Sequence, residues 1–274
     1  MAELSAAQVM ALRKKTGLPM MECKEALKES GGSEDAAMEW LRKKHKGKME
    51  ARSDRDTGEG RIGVYISDDG RVGGIIELRC ETAPVGKNDM FVALANKIAR
   101  HVALGDVAVP DPADIQKAME SEITEVYGKL RETMHVGQCR RVTGDALCSY
   151  VHHDGKSGVL LAMSGSPDDA ELGKNLGMHA TAFRPVAVDR DGVSPDTVEQ
   201  VREEARAQAR EAGKPEQIVD KIAEGKVNAY FSERVLLEQE HARSDVYGKK
   251  KVKDVLNEHG VSGVSEMVYL TVGG

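Results

Sequence analysis

The chain has 274 residues, of which 31% are charged and only 4% aromatic, with a formal net charge of -6. Such a length permits a substantial core, or a core with one or two appended modules, and the shortage of aromatics points to small, Ala-rich helices around it. The acidic balance argues against a general nucleic-acid binder, which needs surplus cations to displace counterions. No window approaches the roughly 18 apolar residues of a membrane span. Met1 to Gln8 is neither an apolar signal region nor an Arg-rich, acid-poor transit sequence. A cytoplasmic chain is expected, with no membrane and no direct nucleic-acid partner.

Three short helices can be drawn in residues 1–44. Ser5 with Gln8 makes a capping box, Leu4, Val9 and Leu12 supply an apolar face, and Thr16-Gly17 stops the first helix. Pro19 starts a second through Met20, Cys23 and Leu27, ending at Gly31-Gly32. Ser33 caps a third that carries Ala37, Trp40 and Leu41 inward. Met20-Met21 fits either the core of this small bundle or a partner surface, which flexible thioethers suit. Arg42 to Glu59 has no apolar period and is rich in Lys, Arg and Asp, so residues 45–58 read as a linker.

An internal repeat follows. Tyr65-Ile-Ser-Asp-Asp69-Gly70-Arg71-Val-Gly73 is answered by Tyr150-Val-His-His-Asp154-Gly155-Lys156-Ser-Gly158. Asp-Gly between alternating apolar runs predicts a hairpin in each copy, because glycine tolerates the positive φ of a tight turn. A helix follows each hairpin, Leu94 to Val102 against Leu172 to Ala180, and His101 and His179 are expected to pack equivalently. Tyr150 lies 85 residues after Tyr65 but His179 only 78 after His101, so the first copy carries seven extra residues. These are expected in the loop of "ELRCETAPVGKND", residues 77–89, where Glu81 to Lys87 matches neither strand nor helix period. A loop the second copy does without usually serves a function. The two copies are drawn as core subdomains at 59–135 and 136–193.

Ser194-Pro195 opens a helix with Val198, Val201, Ala205 and Ala212 inward, its spacing broken at Gln208. Gly213-Lys214-Pro215 stops it and starts another, with Ile218, Val219, Ile222, Tyr230 and Phe231. The pair predicts an antiparallel helical hairpin at 194–234 whose small seam must lean on the core, a partner or a second copy. Within 235–274, Glu238 to Lys251 reads as a mobile loop, Val252 to His259 as a short helix and Met267 to Val272 as a strand rejoining the sheet. The fold class is α+β: a three-helix bundle, a duplicated hairpin-plus-helix antiparallel core, and an inserted coiled-coil hairpin.

Chemistry is hard to place on this chain. Cys23, Cys80, Cys139 and Cys148 lack zinc-ligand spacing and read as structural reduced thiols, while His152-His153 reads as a turn-edge pair. Gly58-Glu-Gly60-Arg-Ile-Gly63 precedes a strand, the reverse of the order that aims amides at a pyrophosphate. Gly155-Lys156-Ser157 imitates a phosphate loop but leads into a strand. No nucleophile, base and orienting group stand out as a set. No metal, cofactor or catalytic residue is expected.

Two longer patterns carry a resemblance. Leu12-Arg13-x-x-Thr16-Gly17-x-x-Met20-Met21-Glu22-Cys23-Lys24-x-Ala26-Leu27-x-Glu29 resembles a signature of bacterial elongation factor Ts, with Glu22 where that family usually has Asp. Glu77-x-x-Cys80-Glu81-Thr82-Ala83-Pro84-Val85-Gly86-Lys87-Asn88 is similar to its second signature, roughly E-x-x-C-E-T-D-F-V-A-K-N. The resemblance implies a non-catalytic guanine-nucleotide exchange factor for elongation factor Tu, with Thr82, Ala83, Pro84 and Val85 as a magnesium-displacing loop. It implies partner contacts at Arg13, Met20, Met21, Cys80, Glu81, Lys87 and Asn88, with the second hairpin near His152 reaching a distal domain of the GTPase. Members of that family occur as one-to-one complexes with the GTPase and as dimers through the helical hairpin, and the weak seam at 194–234 allows either. Ala83-Pro84 replaces the family's Asp-Phe, so the loop is expected to work by shape rather than by an intruding ring. The chain reaches Gly274 directly after the expected last strand, so the extra C-terminal helix of some members is not expected. Two rival readings stand beside this one: a scaffold whose bundle resembles ubiquitin-associated folds, and a nucleotide-dependent transferase using Gly155-Lys156-Ser157.

Overall fold

In a computed structural model of the chain, residues 4–274 are described, and the counts and absences below concern those residues. Helices α1 (Ala6–Thr16), α2 (Met20–Glu29) and α3 (Glu34–Glu50) form the N-terminal bundle. The Ser5/Gln8 box closes reciprocally, and Gly17 takes the left-handed conformation that ends α1. Leu12, Cys23, Ala26, Leu27, Ala37 and Leu41 fill the interior. Met20 and Met21 lie outside it, 45% and 72% exposed. The linker begins later than its composition predicts: α3 runs on to Glu50, because His45 is buried against Glu22 and Lys46 pairs with Glu120. Tertiary partners thus extend a helix that has no apolar period of its own.

The core begins with β1 (Glu59–Ile66) and β2 (Val72–Cys80), joined through Gly70 at φ 72. Then come α4 (Ala83–Gly86), α5 (Asp89–Leu104), α6 (Pro112–Ala118), α7 (Glu120–Leu130) and β3 (His135–Thr143), which pairs antiparallel with β2. The second half repeats the plan. Its hairpin is β4 (Ala146–Val151) and β5 (Ser157–Ser164), its covering helix α8 (Ala170–Phe183). A helical insertion of α9 (Pro195–Glu211), α10 (Glu216–Arg234), α11 (Ser244–Tyr247) and α12 (Val252–Glu258) precedes β6 (Gly263–Thr271), which pairs with β5. Each half is therefore a three-stranded antiparallel sheet with the hairpin's second strand in the middle. The boundary drawn at residue 136 is corrected by this pairing: β3 belongs to the first sheet, and the halves part at Gly144-Asp145.

The two sheets pack face to face through Ile62, Ile75, Val142, Leu147, Leu160 and Leu270. Side chains of the opposite parity meet the helices: Ile76 and Leu78 under Phe91, Leu94 and Ile98 of α5, Val159 and Leu161 under Leu172 and Leu176 of α8. Both faces of the central strands are covered, so Ile75 and Ile76 of β2 and Val159 to Met163 of β5 are buried on successive positions rather than on alternate ones. No helix is long and apolar enough to cross a membrane.

Close helix-on-sheet contact is reached differently in the halves. Gly63 of β1 has no room for a side chain, since a Cβ there would stand 2.4 Å from the Ala95 carbonyl oxygen of α5. At the equivalent pair in the repeat the strand carries Cys148 and the helix the glycine, Gly173, where a Cβ would stand 2.6 Å from that of Cys148. The seven surplus residues of the first half are also not all loop. One lies in the longer β2, three in the 81–88 connection against 165–169, and three in the extra first turn of α5.

Two further expectations are corrected. His101 is exposed, whereas His179 is fully buried. The difference is the segment after α10, which folds over α8: the His179 ring pairs with Gln239 at 3.0 Å and accepts the Ala242 amide at 3.1 Å. For the same reason residues 238–251 are a packed segment rather than a mobile loop. Gln239 and His241 are buried, Tyr247 belongs to the second core, and Glu240 bridges to Lys251.

Helices α9 and α10 form an antiparallel hairpin with Ala205, Ala209, Val219, Ala223, Val227 and Phe231 along its seam. Ala209, four residues after Ala205, continues the seam past the apparent break, while Ala212 and Ile218 are exposed. Arg202–Glu224, Arg206–Asp220 and Arg210–Glu216 pairs lace the two helices together. Val227, Phe231 and Val235 root the hairpin on Ala187 and Val193.

Candidate functional site

The chain leaving β2 does not loop freely. Thr82 is extended, Pro84 occupies the first turn of α4 where its missing N–H costs no hydrogen bond, and the turn closes with Gly86 N–H donating to the Thr82 carbonyl at 3.2 Å. Asn88 then caps α5 by accepting the Met90 amide at 2.9 Å. Val85 packs inward on the first core and Gly86 is buried against β1, where a Cβ would stand 3.0 Å from the Gly60 carbonyl oxygen. Thr82, Pro84 and Lys87 remain exposed. What the sequence presented as an irregular loop is a single closed turn with Pro84 on its outer side.

Side chains far away in sequence hold the turn. Glu132 accepts from the Thr82 amide at 2.9 Å and from its hydroxyl at 2.5 Å. Glu81 accepts from the Thr133 amide and from Arg55, each at 2.8 Å. Burial alone would raise the Glu81 pKa, but these donors outweigh it and hold the carboxyl below its ordinary range. Cys80 is fully buried and its thiol donates to the Thr82 carbonyl at 3.3 Å. Burial first, then the nearby Glu132 carboxylate, push that thiol up to about 12.

These placements sort the expected partner contacts. Arg13, Met20, Met21 and Lys87 are exposed, and His152 is half-buried. Cys80 cannot touch a partner from its sealed position, so that expectation is corrected to an internal role. Glu81 and Asn88 are spent on internal hydrogen bonds that shape the turn. One groove brings Arg13, Gly17 and Pro19 of the bundle together with Met90 of α5 and Lys129 and Arg131 at the end of α7. The second hairpin turn also comes close: the Ile62 amide donates to the Gly155 carbonyl at 2.8 Å, and Lys156 pairs with Glu59 at 2.6 Å. The start of β1 therefore lies between the His152–Lys156 turn and α4.

All four cysteines are free and buried, and no three His, Cys, Asp or Glu residues cluster as a metal site. Gly58–Gly63 runs into strand β1 and Gly155-Lys156-Ser157 forms a hairpin turn, so neither cradles a phosphate. Sequence reasoning missed Arg131, Glu132 and Thr133, which lie in no pattern and act across 50 or more residues. It also missed what Glu77 does. That buried carboxylate accepts from Arg79 and from the Gly273 amide, each at 2.7 Å, tying the first sheet to the far end of β6.

The family Elongation factor TS matches residues 81–274. Elongation factor Ts of Azoarcus sp. (strain BH72) is 39% identical over 280 residues, covering 98% of this chain and 91% of the relative. That of Bordetella petrii is 41% identical over 278 residues, covering 100% and 92%. That of Cytophaga hutchinsonii is 38% identical over 256 residues, covering 89% and 91%. A family match over more than half the sequence, with such relatives along nearly all of it, means that the chain belongs to the elongation factor Ts family.

Proposed function

We propose that this member of a translation elongation factor family binds elongation factor Tu with GDP and speeds GDP release by displacing magnesium and distorting the phosphate site. No covalent step is needed. A protein that binds the nucleotide-free GTPase more tightly than the GDP form must, by reciprocal linkage, weaken GDP binding by the same factor. Removing magnesium's charge from between the phosphates and the protein adds to that weakening.

The observation that carries this reading is the closed 82–87 turn with Pro84 outermost. Ala83 and Pro84 offer neither ring nor carboxylate, so the turn acts by shape: proline fixes φ, the bonds to Glu132 fix the base, and little freedom is lost on docking. Arg13, Met20 and Met21 supply the grip on the nucleotide domain, Lys87 flanks the turn, and the His152 hairpin meets a distal domain. In this assignment the bundle is one recognition module, the two half-cores a rigid frame, and the 194–234 hairpin, with Ile218 exposed, a surface for a second copy.

Release of fluorescent GDP from purified elongation factor Tu tests the reading. With GDP association unchanged, a weakening of GDP binding on the order of 5- to 150-fold, the range of ordinary coupling energies, should appear as an equal rise in the release rate at saturating chain. An unchanged rate ends the proposal. Binding of GTP or ATP to the isolated chain in equilibrium dialysis would instead favour a transferase.

A further inference from the structure

Three consecutive residues after α7 each hold a different part of the molecule. Arg131 takes the left-handed conformation at φ 62, its amide donating to the Tyr127 carbonyl at 2.8 Å, and turns the chain out of the helix. Its guanidinium donates to the Glu22 carboxylate in the N-terminal bundle. The other oxygen of Glu22 pairs at 2.8 Å with His45, itself buried and closely covered by Gly128. Burial keeps His45 below its ordinary pKa, hence neutral, so its Nε2–H donates to an ionised Glu22. Glu132 holds Thr82 by both amide and hydroxyl. Thr133 donates its amide to Glu81 and its hydroxyl to the Arg52 carbonyl, while Arg52 reaches back to the Arg131 carbonyl at 3.4 Å.

Bundle, linker and 82–87 turn thus meet on one three-residue segment. We infer that Arg131, Glu132 and Thr133 are positioning residues, a strap that sets the 82–87 turn at a fixed place relative to the N-terminal helices. A GTPase would then meet grip and turn as one preset surface. This rests on the exchange reading for its functional consequence, but the mechanical coupling stands on the contacts alone. The strap touches neither nucleotide nor magnesium; it acts by keeping the turn in register with the bundle, where a misplacement of about 1 Å can cost on the order of 100-fold.

The test uses the full chain and elongation factor Tu loaded with fluorescent GDP, reading maximal release rate and half-saturating concentration separately. Glu132→Gln should lower the maximal rate about tenfold with half-saturation within about twofold, because the grip is intact and only the turn is misplaced. Glu22→Gln, at the other end of the strap, should lower the same rate. In the double variant the two losses should not multiply, since either change breaks one connection. Losses that multiply, or an effect confined to half-saturation, overturn the strap. Thr82→Val, which removes only the hydroxyl bond, substitutes for Glu132→Gln should the latter not fold. Hydrogen exchange in the free chain separates this inference from the exchange reading. Glu22→Gln should speed amide exchange in residues 82–88 severalfold while the central strands keep their protection. An unchanged 82–88 segment sinks the strap whatever the GDP assay gives, and an inactive wild type sinks only the exchange reading.

Discussion

His241 sits between His179 and Tyr247, with ring centroids 5.2 and 4.6 Å away, and its Nδ1 accepts the Arg243 amide at 3.1 Å. Burial, then the neighbouring His179 and Arg243, lower its pKa from 6.5 to about 4. Between those values the unfolded chain takes up a proton that the folded chain refuses, so folding stability is full above pH 6.5 and falls with acidification towards pH 4. The loss amounts to about 3 kcal/mol across the window. Urea denaturation at pH 7 and pH 5 should show His241→Asn with a shallower pH slope than the parent chain; equal slopes would refute the assignment. None of this could be read from His241 in the sequence, because the rings that bury it come from α8 and α11. Arg13, Met20 and Met21 are an intermediate case. The helical pattern leaves Met20-Met21 open between core and surface, and Arg13 enters only through the family resemblance; all three are exposed. Cys80, Glu81 and Asn88 share one unbroken pattern with Pro84, but sequence adjacency does not tell a residue that meets a partner from one that shapes the turn beneath it. Glu132 gave no signal at all, since its partner Thr82 lies 50 residues away.

Helix starts were legible wherever a cap is local. Ser5, Ser33 and Ser194 each accept an amide of their own first turn. Asp111-Pro112 carries the same signal for α6. The end of α3 and the packing of residues 238–251 were not legible, because distant partners decide both. Between elements, the exchanged glycine is the sharpest feature. Gly173→Ala should cost about 2 kcal/mol, since overpacking of a tight contact costs that order. Adding Cys148→Gly restores the strand-glycine, helix-alanine arrangement of Gly63 and Ala95, and the pair should recover about 1 kcal/mol or more of the loss. Urea denaturation of the two single variants and the double variant measures this coupling; strict additivity would mean that the contact is looser than 2.6 Å implies. Helices α5 and α8 are accordingly not interchangeable, because a swap would put two side chains together in one half and two glycines in the other.

At the scale of the whole molecule, the repeat was legible and its depth was not. Hairpin and helix announce themselves in both copies, yet the third strand of each sheet arrives only after helical insertions of unlike length, which masks the correspondence. The halves are joined by the shared apolar layer and by Glu77, whose carboxylate reaches Gly273. Glu77→Ala should leave the Gly273 amide unpaired and lower stability by about 2 kcal/mol, less than for a sealed ion pair because Arg79 is 36% exposed. Denaturant titration gives the magnitude, and faster amide exchange at Gly273 would localise the damage; a variant as stable as its parent would show that the tie is idle. The seat of α4 carries a mechanical consequence. In the proposed exchange role, pressure on Pro84 would pass through the buried Gly86 to β1 and, by the Ile62–Gly155 hydrogen bond, to the opposite half, so two stacked sheets rather than a hinge would take the recoil. A blunt tip without a ring can still force an opening if its backing does not give way.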